Sequence, residues 1–235
     1  MSAAPVRPPG FVKAAWIVAR KDLRIEGRTK ETLAASLLFA LVELVVFAFA
    51  FGIETIKRMG SPQVIPGILW VTVAFSAIVG FTRSFRLERD RSAFVAVAMA
   101  PIDRGAVFAG KWVANVVLLL TIEAILVPLT AVFFDADIVS VAGPLALVVA
   151  VHTLGLAALG TLFGAVVSRL GRGEALLATL LLPAATPLFL SAVQCTSAAL
   201  DGRLGDARVW LLLSAGLDVL YGLVALLIFD ALMED

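Results

Sequence analysis

The 235-residue chain is 61% apolar and 16% charged, with a mean hydropathy of +1.01. A soluble domain averages roughly 45–50% apolar and about 25% charged, so a disordered protein, a disulfide scaffold and an ordinary soluble enzyme are excluded. A formal net charge of +1 makes no electrostatic case for nucleic acid, and the single cysteine, Cys195, can form neither an internal disulfide nor a thiolate metal site.

The first apolar run begins near Leu33, behind a charged segment. That is too far in for a signal peptide, and an uncleaved N-terminus is expected. Within 10–31, Val12, Trp16, Ala19 and Leu23 recur at helical spacing while Arg20, Arg24 and Arg28 line another face. A basic amphipathic helix with an aromatic anchor lies in the bilayer interface; the alternative is a solvated helical tail.

A membrane helix takes about 20 residues. Six segments of that size fit, at roughly 33–53, 64–82, 108–133, 139–167, 175–199 and 208–230. The expected fold is an all-α membrane protein, with 1–235 a single transmembrane domain. Counting Lys and Arg in alternate connections places 15 on the side of the N-terminal segment and 4 on the other, so both termini are expected in the cytoplasm.

Several irregularities interrupt the spans. Pro66 is expected in the first turn of span two, where a missing donor costs nothing. Pro183 and Pro187 lie within span five and should bend or break it, as a hinge or as a fixed kink. Gly160 and Gly164 form a G-x-x-x-G that permits close helix approach. Glu43, Glu123, His152 and Asp218 each lie near mid-span, where a central acid costs about 2.5–3.5 kcal/mol. They should therefore face protein or water. Lys111, Asn115 and Glu123 fall on one ladder of span three, and Ser214, Asp218 and Tyr221 on one side of span six. Two readings stay open for these groups: interhelical bonding, or a direct part in passage or conformational coupling. His152, the single histidine, reads as a buried and satisfied side chain in preference to a heme ligand. Trp16, Trp70, Trp112 and Trp210 read as interface anchors.

Gly105 to Trp112 nearly spells a phosphate-binding loop, but Trp112 stands where the motif needs a hydroxyl for magnesium, and no strand precedes it. No ATPase activity is expected of this chain, nor any other catalytic role. Residues 83–104 begin charged and turn apolar before Pro101 and Asp103-Arg104. They are expected to form a short surface helix between spans two and three, suited to contact a separate soluble motor.

An N-terminal amphipathic helix, six spans and a surface helix after span two make up the layout of ABC-2-type permeases. More closely, the chain resembles the heme exporter protein B family, the permease of the cytochrome c maturation ABC transporter. The segments that carry the resemblance are Arg20-Lys21-Asp22-Leu23-Arg24, Arg28-Thr29-Lys30-Glu31-Thr32, Leu38-Phe39-Ala40, Pro66-Gly67-Ile68-Leu69-Trp70, and Arg83-Ser84-Phe85 with Leu87-Glu88-Arg89. Ala100-Pro101-Ile102-Asp103-Arg104-Gly105 running into Gly110-Lys111, Thr161-Leu162-Phe163 and the Glu234-Asp235 tail complete them.

The resemblance implies a bacterial inner-membrane permease with no bound cofactor of its own. ATP would be bound by a separate A subunit, which would contact Arg86, Glu88, Arg89, Asp90, Pro101, Asp103 and Arg104. Heme would be handled by a C subunit, with a small D subunit and a membrane-anchored heme chaperone, the E protein. The B subunit would either move heme or convert ATP hydrolysis into release of loaded chaperone. One histidine and no tryptophan-rich heme motif favour the second. A general ABC-2 exporter of lipid-linked glycan or drug, and a structural scaffold without a motor, are the competing readings.

Overall fold

The computed structural model describes residues 9–90, 103–170 and 174–232, and every regular element among them is helical. In chain order these are α1 (Phe11–Thr29), α2 (Glu31–Phe51), a short α3 (Ile53–Met59), α4 (Ser61–Asp90), α5 (Arg104–Phe134), α6 (Ala142–Leu170) and α7 (Glu174–Leu200). A 3-10 turn (Leu204–Ala207) then leads into α8 (Arg208–Leu232). Six of the helices, α2 and α4 to α8, are long and apolar enough to cross a membrane, as the hydropathy predicts.

The chain turns where its backbone can. Lys30 adopts φ 52°, closing α1 and opening α2, and its N–H donates to the Glu26 carbonyl at 2.7 Å. No side chain at Lys30 caps α2. Glu26 does so instead, its Oε1 accepting from the Leu33 N–H at 2.8 Å. At the start of α5 the Asp103 side chain accepts from the Ala106 N–H, satisfying one of the donors that open a helix. Between α5 and α6 the Asp137 carboxylate accepts from the amides of Ser140 and Val139, and these bonds, Ser140's first, hold its carboxyl below the usual value.

Burial separates central from peripheral helices. In the most apolar stretches of α4 and α6, 67% of residues are buried, against 17% in α2 and α8. Leu38, Val42, Val46 and Phe49 of α2, and Leu212, Val219, Leu223 and Leu227 of α8, stay exposed on the outer surface. In a bilayer such rows meet lipid, so their exposure carries no hydrophobic penalty. The main core runs from Leu44 through Phe81, Leu119, Ile122 and Leu126 to Leu156 and Leu181. A smaller cluster at Phe108, Leu162, Ala225 and Phe229 joins α5, α6 and α8. Gly160 has a packing reason: a Cβ there would overlap the ring of Phe81.

The structure corrects several expectations. The helix of span two starts at Ser61, so Pro66 stands inside it and not in its first turn. The same helix continues to Asp90, so the charged start of 83–104 extends α4, and the remainder of the expected surface helix lies outside the described residues. No proline interrupts the run from Ser84 to Asp90; the next is Pro101, which with all of 91–102 lies outside the described residues. Helix α7 runs unbroken through Pro183 and Pro187. Tyr221 of α8 donates to the Ala184 carbonyl at 2.8 Å, between the two prolines, and Thr186 donates to Leu182.

Helix α1 docks on α5 by one face only. Ala14, Val18 and Ala19 are buried, while Val12 is 80% and Trp16 59% exposed. The docked face is made of small residues because it crosses α5 closely. A Cβ at Gly110 would meet the Ala15 carbonyl and Val18, and larger side chains could not enter.

Candidate functional site

Three of the six intramembrane polar residues, Glu123, His152 and Asp218, meet at one turn of α6. His152 is fully buried. Its Nδ1 lies 2.7 Å from the Val148 carbonyl, and its Nε2 lies 2.9 Å from Ser214 Oγ and 3.3 Å from Ser191 Oγ. Ser214 Oγ is 2.6 Å from Ser191 Oγ, and Ser191 donates to the Trp210 carbonyl at 2.8 Å. A carbonyl only accepts, so Nδ1 carries the proton and Nε2 of a neutral ring accepts. Ser214 then has one proton for two acceptors. This circuit ties α6 to α7 and α8 through short hydroxyl contacts.

Trp70 of α4 closes the fourth side. Its ring centroid is 5.4 Å from that of His152, and its Nε1 donates to Thr196 Oγ1 at 2.8 Å. Trp70 is 2% exposed, so it belongs to the core and is not the interface anchor its residue type suggests. Trp112, half-buried, spends its indole donor on the carbonyl of the exposed Leu154 at 2.9 Å. Trp16 and Trp210, at 59% and 38% exposed, retain the outward position expected of anchors.

The next residue of α6, Thr153, turns toward α5. Its hydroxyl lies 2.6 Å from Glu123 Oε2 and 2.7 Å from the Val149 carbonyl. The carboxylic acid form of Glu123 would complete this chain, donating to Thr153 while Thr153 donates to Val149. Two turns further, Asn115 Nδ2 donates to Thr161 Oγ1 at 2.8 Å, and Thr161 donates to the Ala157 carbonyl. Gly155, on the side of α8, makes room for Asp218: a Cβ there would overlap Asp218 Oδ1. Glu123 Oε1, Asp218 Oδ1 and Glu43 Oε2 are buried without a hydrogen-bond partner. Glu43 stands on peripheral α2, apart from the α6 turn. Among the described residues no three His, Cys, Asp or Glu side chains gather to hold a metal.

Lys111 belongs to a different place than Glu123 despite sharing its ladder. It is 6% exposed, with Nζ 3.5 Å from Asp22 Oδ2 of α1. The Gly110-Lys111 pair that mimics a nucleotide motif therefore serves α1: the glycine admits the helix and the lysine pairs with it. At the same end Arg83 of α4 bonds Glu31 of α2 at 3.0 Å. A cavity of about 260 Å³ opens beneath this elbow, bordered by Asp22, Glu26, Thr32, Ser84 and Asn115. The residues expected to meet a motor flank the same end. Arg86, Glu88, Arg89 and Asp90 lie on the last turns of α4, Asp103 caps α5 and Arg104 opens it; Pro101 lies outside the described residues.

Ser191, Thr196, Thr153 and Gly155 take part without having been singled out. Each is a small residue in a long apolar helix, and the available signal was their spacing toward His152, Glu123 and Asp218, which becomes readable only once helix neighbours are known.

Residues 13–233 match the CcmB protein family. The chain is 25% identical over 198 residues to heme exporter protein B of Bradyrhizobium diazoefficiens, covering 83% of this chain and 86% of the relative. It is 29% identical over 104 residues to heme exporter protein B of Escherichia coli strain K12, covering 43% and 44% of the two chains. With the family match running almost end to end over a six-span helical bundle, the chain belongs to the CcmB family.

Proposed function

We propose that this chain is the membrane permease subunit of an ABC transporter complex that serves heme export and cytochrome c maturation. The observation that carries the reading is near full-length similarity to a relative named heme exporter protein B. The subunit lies in the bacterial inner membrane with both termini cytoplasmic, the orientation supported by 15 basic residues on one side against 4 on the other.

ATP hydrolysis occurs in a separate A subunit, docked on the connection that carries Arg86, Glu88, Arg89, Asp90, Pro101, Asp103 and Arg104. Movement there passes along α4 and α5 into α6. The His152, Ser191 and Ser214 circuit and the Glu123–Thr153 contact then register how the helices sit. Pro183 and Pro187 let α7 flex. Heme itself is held by the C subunit, with the D subunit alongside, and the stroke releases heme-loaded chaperone E. Support for this division comes from His152, whose ring nitrogens are both engaged within the bundle.

The test is purification of the tagged chain from its native membrane in mild detergent, with mass spectrometry of co-purifying proteins and a Soret spectrum. An ATPase together with a membrane heme protein is the expected result. An ATPase without a heme-handling companion would move the reading to a general ABC-2 exporter, and absence of any ATPase would overturn both. Charge reversal by Glu88→Lys or Asp103→Lys is expected to reduce ATPase retention; unaltered retention would remove the docking assignment.

A further inference from the structure

Helix α1 has two faces of opposite character. One is docked on α5 through Ala14, Val18 and Ala19 and held by the Asp22–Lys111 pair. The other carries Trp16, Arg20, Arg24 and Arg28, four residues apart and all exposed. At 1.5 Å per residue this row extends for about 18 Å. Ile17, Lys21 and Ile25 interleave with it, and together they border a groove of about 380 Å³.

We propose that this outward face of α1 is a binding site for the phosphate headgroups of anionic phospholipids in the leaflet it lies against. Three observations commit it to that occupant. First, its charge is of one sign. The two acids of α1 are both engaged within the protein, Asp22 with Lys21 at 2.9 Å and Lys111 at 3.5 Å and Glu26 with the Leu33 amide, which leaves the row of arginines to set the charge of the face. Second, a planar guanidinium matches a phosphate with two parallel hydrogen bonds, and three are offered in a row. Third, Trp16 at 59% and Ile17 at 49% exposure extend beside the arginines. An aromatic anchor and an aliphatic side chain suit the boundary between headgroups and acyl chains, whereas an acidic protein surface would have no use for that pairing.

The row is also fixed in place. Glu26 caps α2, Lys111 pairs with Asp22, and Arg83 ties α4 to Glu31 at the start of α2. A headgroup therefore meets arginines whose helix is already ordered, which lowers the entropic cost of binding.

The site is tested on the full chain in nanodiscs of equal parts phosphatidylcholine and phosphatidylglycerol, with retained lipids counted by native mass spectrometry. Phosphatidylglycerol is expected to be enriched on the unaltered chain and to fall away as salt rises. The R20Q/R24Q/R28Q variant is expected to lose the preference, at about fivefold per arginine. R203Q, a change at an exposed arginine of the α7–α8 connection, should leave it intact. Should the triple glutamine variant fail to fold by circular dichroism, the R20K/R24K/R28K variant replaces it, with weakened but detectable preference expected. Equal retention of the two lipids by the unaltered chain would overturn the proposal. So would a folded triple variant that retains phosphatidylglycerol undiminished. A face that shows no lipid preference but becomes protected from hydrogen exchange in the assembled complex belongs to a protein partner, and that result also overturns it.

Discussion

The turn of α6 at 152–155 and the elbow between α1 and α2 both gather polar groups in an apolar chain, and they do so with different chemistry. At the elbow the contacts are ionic: Lys111 with Asp22 and Arg83 with Glu31. Around α6 the partners are hydroxyls, an imidazole and backbone carbonyls, and Glu123 meets Thr153 instead of a cation. Depth explains the contrast. Near the end of a span, water and headgroups relieve the desolvation of a charge, so a partly exposed ion pair is tolerable. In mid-bundle each ion would lose that relief, and hydroxyl chains satisfy polar atoms without bringing in a second charge. The elbow can therefore yield to outside charges, while the inner layer responds to how helices are placed.

The sharpest way to break the inner region is to refill the space it depends on. Gly160→Leu would drive a side chain into the Phe81 ring. The expected destabilisation is about 3 kcal/mol, measured as loss of monodisperse protein on heating in detergent. Phe81→Ala alone should cost a comparable amount through the cavity it leaves. The two together should cost less than their sum, since each removes the other's clash or void. Additive losses would show that the ring and the glycine do not share this space.

Separating the elbow from the bundle is the next largest effect. Lys111→Ala takes from Asp22, whose side chain is only 18% exposed, its buried partner and leaves it Lys21 at 2.9 Å. A cost of about 2 kcal/mol is expected, reduced from the fully buried case because Asp22 retains some contact with water. It should appear as faster hydrogen exchange confined to α1, with the α6 turn unaffected. Adding Asp22→Asn should recover part of the protection, because the half-buried charge then held by Lys21 alone is gone. If exchange in α1 does not change, the apolar crossing at Gly110 holds the helix alone.

Glu123 sharpens the comparison from the inside. Glu123→Gln keeps a group able to bond Thr153 and should leave stability near that of the parent. Glu123→Ala should cost about 1 kcal/mol, the scale of interhelical hydrogen bonds in membranes. Cytochrome c yield at matched protein level then separates the two open roles. Loss of yield in the glutamine variant would mean that the carboxyl acts in coupling, whereas full yield in both would leave it as interhelical bonding.

The long apolar runs made the six helices legible in the sequence, because length and hydropathy are local properties. The lateral partners were not. Val12, Trp16, Ala19 and Leu23 looked like one apolar stripe, yet close contact with α5 selects Ala14, Val18 and Ala19 for their size. Trp70 has the residue type of an interface anchor and lies instead against His152. Composition cannot tell a tryptophan at a membrane surface from one in the core, since both positions need an apolar body and a partner for one N–H. Glu123 and Asp218 were flagged as costly, but their neighbours Thr153 and Gly155 depended on which helices adjoin.

The smallest expected effect lies outside both regions, in the turn joining α5 to α6. Asp137 accepts from the amides of Ser140 and Val139, and these bonds hold its carboxyl below the usual value. A carboxyl lowered in the folded state contributes stability that is present above its unfolded pKa and is lost as pH falls through the folded one. Acidification into that range should therefore speed exchange of the Val139 and Ser140 amides, after correction for the intrinsic pH dependence of exchange. Asp137→Asn should remove the pH-dependent part while leaving the turn itself, because an amide oxygen can still accept. The group is exposed, so neither the α6 turn nor the elbow should respond. A parallel change at His152 or in α1 would show that this connection communicates with them, and that the separation between the two polar regions is incomplete.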